Sequence, residues 1–220
     1  MFQDWIWPLA RHPTDGRLPA VSDGFSRSSR GGAGHYGVDI MFKREAAGEV
    51  DLPEFTTWFE MPTDRVDALA PGPGFVNAVN KLDPHGVSIE VVHDESGYTT
   101  AYRHLARAYV RAGQRVVTGT PLGRVGFDRA MPPEKTPNHL HFELWDTRVV
   151  ASPGQTERRK SYGIDPIALL RRATIRGSAG GNDTDLAGPH DLWLGAGTGE
   201  SSRVAGAMTG AELMTPPKKT

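Results

Sequence analysis

At 220 residues, the chain suits one domain of ordinary size with something appended, because domains cluster near ~100–150 residues. Lys and Arg number 25 against 26 Asp and Glu, a formal net charge of -1, so no bulk field favours nucleic acid or an anionic membrane surface. Cysteine is absent, which excludes disulfides, thiol catalysis, iron–sulfur ligation and thiolate zinc sites, so any transition metal has to be held by His and carboxylate.

Residues 1–21 read as an irregular lead-in. The opening Met1-Phe2-Gln3-Asp4-Trp5-Ile6-Trp7-Pro8 lacks the basic and long apolar regions of a secretory signal. No stretch approaches the ~20 apolar residues that span a bilayer, so membrane insertion is not expected. A Pro-, Gly-, Ser- and Arg-rich run ends near Gly31-Gly32, and a glycine-rich turn then delivers His35-Tyr36-Gly37-Val38-Asp39. Residues 41–69, containing Glu54-Phe55-Thr56-Thr57-Trp58-Phe59-Glu60-Met61-Pro62, read as an inserted loop in which Trp58 has a claim on substrate.

From about 66 to 145 the pattern changes to short β-rich runs between turns: 75–79, 87–92, 98–102, 114–117 and 139–145. Turn signals such as Asp94-Glu95-Ser96-Gly97 recur and no βαβ alternation is visible, so the spacing predicts a mostly antiparallel β domain rather than a doubly wound sheet. Asp165 as N-cap and Pro166 at the first helical position predict a short helix through Arg172. The catalytic domain is accordingly placed at 22–172. Residues 173–220 are dense in Gly, Ser, Thr and Ala with isolated apolar positions, a composition that seldom builds its own core, and read as a tail.

The strongest chemical signal is Asn138-His139-Leu140-His141-Phe142-Glu143-Leu144. Two imidazoles at i and i+2 of a strand point to one face, which is how a sheet presents a metal. A catalytic zinc takes about three protein ligands and keeps a further position open, and one Asp with two His satisfies that count. His35 and Asp39 cannot share an ion from a straight strand, since four residues span ~13 Å at ~3.3 Å each. The segment must fold back, and Gly37 permits it. His139 and His141 lie ~6.6 Å apart on their strand, so both need not bind the ion. One is free to move a proton or stabilise an oxyanion, and His104 is the natural second group for that work.

With Tyr102-Arg103-His104-Leu105 lying between the two histidine motifs, and the run from Val110 to Val116 continuing through Gly119 and Gly123, the chain resembles the LytM-type, lysostaphin-like zinc metallopeptidases of family M23 over roughly residues 22–170. Members of that family cut peptide bonds in bacterial peptidoglycan. The resemblance implies an antiparallel β core of the duplicated hybrid-motif type with long loops and a short C-terminal helix. It implies Zn2+ held by His35, Asp39 and His141, with His104 and His139 as the catalytic histidines, and peptidoglycan cross-links or stem peptides as substrate. Two departures touch the groove without removing a ligand. The approach to the last motif, 127–138, is long and stiffened by three prolines, and the 41–69 block exceeds the usual passage from the first motif to the next strand.

His12, His85 and His190 stand in Pro/Gly contexts and read as surface residues, and His93 as a turn residue at a strand end. Trp5, Trp7 and Trp193 read as packing anchors. Two rival functions remain: a murein-binding or hydrolase-activating domain of the same fold that does not cut, and a structural component of a phage tail or injection machine. Because the N-terminus carries no visible export signal, action at the cell wall is expected from within a phage particle or comparable assembly, or after lysis as for an endolysin, with the tail as the docking element.

Overall fold

A computed structural model of the chain describes residues 4–26, 34–43, 59–61, 66–82, 85–126, 138–147, 162–176 and 182–183. In chain order the strands are β1 (Pro19–Asp23), β2 (Val38–Lys43), β3 (Phe59–Glu60), β4 (Asp67–Leu69), β5 (Gly74–Leu82), β6 (Gly86–His93), β7 (Tyr98–Ala108), β8 (Arg115–Val116), β9 (Pro121–Val125), β10 (Leu140–Asp146) and β11 (Gly163–Ile164). A single turn of helix, α1 (Ile167–Leu170), and the short pair β12 (Ile175–Arg176) and β13 (Asn182–Asp183) follow.

The fold is mostly antiparallel β, as the spacing predicts. Among the described residues, strands β1 to β11 belong to one sheet with the central order β1-β2-β10-β7-β6-β5-β8, while β9 joins β7 to β4. The β6–β7 hairpin turns through Asp94 to Gly97, and Gly97 takes a φ of 74° that a Cβ would strain. Alternation along β10 sends Leu140, Phe142 and Leu144 into the core and leaves His141, Glu143 and Trp145 on the opposite face. The core beneath joins Val38, Ile40 and Phe42 of β2 to Ile89 and Val91 of β6 and to Tyr102 and Leu105 of β7.

Residues on both sides of the expected 22–172 span pack into this body. Within the expected lead-in, residues 19–21 already belong to β1, Trp5, Ile6, Trp7 and Leu9 are core residues, and the Trp7 indole donates to the carbonyl of Leu170 at 2.9 Å. Ala173 and Ile175 are buried, and the Thr174 amide donates to Trp5 O at 2.9 Å, so the two ends close over one another. The physical reason is that isolated apolar residues suffice when a neighbouring segment supplies the rest of the core. Residues 41–43 belong to β2, with Phe42 buried, and β3 pairs with that strand, so the inserted block is narrower than 41–69. Most of that block, Trp58 included, lies outside the described residues, as does the approach at 127–137. Helix α1 is shorter than expected, although Asp165 Oδ1 does accept from the Ile167 amide at 3.0 Å.

His12, read as a surface residue, is interior, and His93, which ends β6 and opens the turn as expected, is buried as well. His12 is buried with its ring edge-on to Phe42, because the 12–16 turn folds it inward and the Thr14 and Asp15 amides donate to its Nδ1. His93 is 1 % exposed; its Nδ1 donates to Pro73 O at 2.8 Å, its Nε2 lies 2.9 Å from Thr100 Oγ1, and Trp5 packs on the ring. Burial pushes the His93 imidazole down to about 4 from its ordinary 6.5. The folded state therefore resists a proton that the unfolded chain accepts, so stability present above about pH 6.5 is lost as pH falls toward 4, by about 3 kcal/mol. Denaturant unfolding of the wild type and of His93→Gln across that window should show a steep acid slope that is much reduced in the variant.

Candidate metal centre

β2, β10 and β7 lie side by side, and their register builds the site. His141 stands directly opposite Asp39 on one side and Arg103 on the other, so the three side chains project from the same face. His35 reaches it from outside β2, where an isolated bridge pairs it with Ser26 and turns the chain back. The segment bends at Gly37, as the sequence reading expects, and Gly37 has a second role as well. Its φ is not left-handed; instead a Cβ there would lie 2.5 Å from Phe142 O and 2.8 Å from His141 Nε2. Gly37→Ala should therefore displace the His141 ring and weaken metal binding at least ~10-fold, comparable with loss of an outer-shell contact, as measured by competition with a chromophoric chelator.

His35 Nε2, Asp39 Oδ1 and His141 Nδ1 converge. The carboxylate oxygen lies 2.9 Å from His141 Nδ1 and 3.2 Å from His35 Nε2, and the two ring nitrogens are 3.1 Å apart. Tetrahedral ligands at ~2.0–2.1 Å from zinc would stand about 3.3 Å from one another. The three atoms thus need to open by only a few tenths of an ångström to admit the ion, and the donor set of two imidazoles and one carboxylate suits it. They are the same three residues that the resemblance implies as zinc ligands, and together they form a group that could hold a metal ion. The tautomer of His35 is set by Gly24, whose carbonyl accepts from Nδ1 at 2.6 Å and leaves Nε2 for the shared centre. Burial lowers the His35 pKa, but Asp39 beside it outweighs burial and holds the ring up to about 9. Burial likewise opposes the charge of Asp39, yet His139, His141 and His35 around it keep the carboxyl ionised well below its ordinary range. Metal uptake would displace the His35 proton.

The two remaining histidines of the expected set adjoin this centre. His139 Nε2 is 3.7 Å from Asp39 Oδ1, and the His104 ring lies 4.8 Å from that of His139 and 5.9 Å from that of His141, centroid to centroid. His104 gets there by a bulge. Between the pairs Tyr102↔Ile89 and Leu105↔Val87 strand β7 holds one residue more than β6, and His104 takes a φ of 59°, the left-handed region. A β-bulge re-aims one side chain of a strand, and a non-glycine residue there costs of order 1–3 kcal/mol, held by the surrounding sheet. Plain alternation could not have predicted this placement. The sequence reading also passed over Glu143 and Arg103. Glu143 Oε1 lies 3.0 Å from His141 Nε2 and accepts from Arg103 Nε at 2.6 Å, while Glu143 Oε2 accepts from the Trp145 indole at 2.9 Å. The available signal was Glu143 two residues beyond His141 on the same strand face.

Residues 57–153 match the model of peptidase family M23. The matched span contains His104, His139 and His141, whereas His35 and Asp39 precede it. Among solved structures the chain is similar to one in the SpoIIQ–SpoIIIAH pore forming complex, with 16% identity and a TM-score of 0.52 over 79% of this chain and 94% of that one. It is similar to LytU with 21% identity and a TM-score of 0.51 over 76% of this chain and 94% of that one. The catalytic domain of lysostaphin from Staphylococcus simulans aligns with 19% identity and a TM-score of 0.44 over 69% and 90% of the two chains. The first two likenesses establish the shared fold.

Proposed function

This chain belongs to peptidase family M23 through residues 57–153, and from that premise we propose that it is a zinc-dependent endopeptidase hydrolysing peptide cross-links or stem peptides of bacterial peptidoglycan. The observation that carries the proposal is the convergence of His35, Asp39 and His141, two of them from outside the matched span, on one point beside His104 and His139. A zinc ion bound there would supply Lewis acidity, polarising the scissile carbonyl and lowering the pKa of water toward ~7.

The chain's own residues do the rest. Asp39 is the one carboxylate among the three ligands, so the site retains positive charge. His139, 3.7 Å from Asp39 Oδ1, is placed to take a proton from the attacking water. His104, held across from it by the bulge, would hydrogen-bond to the developing oxyanion, while the proton taken up by His139 passes to the leaving amine. Chelation should abolish cleavage of purified cell walls, and one equivalent of zinc should restore it; cleavage that persists after complete metal removal would refute the zinc mechanism.

A second reading is a domain of the same fold that assembles with a partner, as the chain of the SpoIIQ–SpoIIIAH pore forming complex does. The intact ligand set supports the enzyme instead. Incorporation into a phage or injection assembly through the tail is a separate proposal, and the packing of Ala173 and Ile175 moves its test. Truncation after Asp183, rather than at Arg172, should abolish incorporation while sparing activity on isolated walls. Normal incorporation of the truncated chain would exclude that docking role.

A further inference from the structure

We infer that Glu143, clamped by Arg103 and Trp145, is a positioning residue that fixes the tautomer of His141 and so presents Nδ1 to the metal. The inference rests on the metal-centre reading above. Only Nδ1 of His141 faces Asp39 and His35, at 2.9 and 3.1 Å. For Nδ1 to offer a lone pair the ring proton must sit on Nε2, and the group facing Nε2 must accept it. Glu143 Oε1 is that acceptor, at 3.0 Å.

The carboxylate has little freedom to do otherwise. It is fully buried, and three donors converge on it: His141 Nε2 and Arg103 Nε on Oε1, and Trp145 Nε1 on Oε2. A carboxylate accepts on both oxygens, which an amide of the same shape cannot do. Arg103 also balances its charge, so Glu143 orients the ligand without placing a second uncompensated anion beside the ion. The backbone of Gly37 closes over the contact, with no room for a Cβ between it and His141 Nε2 or Glu143 Cγ. An imidazole ligand whose far nitrogen is held by a carboxylate is the usual second shell of a metal site, and losing such a partner costs ~10–100-fold in metal affinity.

Replacement by glutamine makes the role testable, because its amide creates a conflict in either orientation. With the NH2 group toward Trp145, two donors meet. With it toward His141, the ring must accept on Nε2 and carry its proton on Nδ1, where the metal belongs. Glu143→Gln should thus weaken zinc binding ~10–100-fold in chelator competition, with apo far-UV and near-UV CD as the folding control. Trp145→Phe alone should bind zinc nearly as the wild type does. The double variant should recover most of the lost affinity, since the amide can then turn its NH2 group to the vacated side and its oxygen to His141. Wild-type affinity in Glu143→Gln, or a double variant binding no better than Glu143→Gln, would overturn the assignment. Should Glu143→Gln fail to fold, nitrogen-15 NMR of the histidine rings in the zinc-loaded wild type decides: a His141 proton on Nε2, slow to exchange, with Nδ1 unprotonated, is expected, and a proton retained on Nδ1 overturns it. Failure of the wild type itself to bind zinc would reject the metal centre, a result distinct from either.

Discussion

Asp39→Asn and His141→Ala should each reduce bound zinc from about one ion per chain to a small fraction of that, and cell-wall cleavage should disappear with it. Both changes remove a ligand from a set of three, and a catalytic zinc site has none to spare. Asp39 carries the larger consequence. It stands opposite His141 in the β2–β10 register, and its Oδ1 lies 2.9 Å from His141 Nδ1 and 3.2 Å from His35 Nε2. Its amide replacement keeps the shape and loses the charge that favours a dication. Stoichiometric zinc retained by both purified variants in elemental analysis would move the metal elsewhere.

His104→Ala and His139→Ala should behave in the opposite way, keeping the metal and losing turnover by ~10²–10⁴-fold each, the range of positioned acid–base groups. Both rings adjoin the ligand set without belonging to it. The backbone at His104 adds a discriminating detail. Since His104 occupies the left-handed region, His104→Gly should be as inactive as His104→Ala yet more stable by about 1 kcal/mol, because glycine alone adopts that φ without strain. Steady-state rates and denaturant midpoints measured on zinc-loaded protein separate these effects. Unchanged turnover in either alanine variant would remove that histidine from the chemistry.

Much of this site is legible in the sequence because strand alternation is a rigid rule. Given β10, His141 and Glu143 must share a face, and the apolar Leu140, Phe142 and Leu144 show which face is the core. The spacing of apolar runs and turn residues likewise reveals the antiparallel hairpins β5–β6 and β6–β7. What stays hidden depends on register and long-range closure. No local pattern announces that β7 carries an extra residue at His104, or that Asp39 falls opposite His141 across two strands separated by about a hundred residues. Gly37 reads as the residue that lets the chain fold back, and no local pattern shows that it also leaves space for His141 Nε2. Trp5 reads as a packing anchor and is one, but that it shares a core with Ile175 is equally invisible to composition, which does not show that the two segments complete each other.

The central claim is that the convergence of His35, Asp39 and His141 serves hydrolysis of an amide bond in the peptide part of peptidoglycan. Mass-spectrometric muropeptide analysis of purified walls digested with the zinc-loaded wild type, with Asp39→Asn in parallel, tests it most directly. The expected result is new peptide termini at one defined bond in the wild-type digest, with glycan strands intact and nothing new in the Asp39→Asn digest. Stoichiometrically zinc-loaded wild type that leaves glycine-bridged and directly cross-linked walls alike uncut, or that cuts glycan rather than peptide, would contradict the claim.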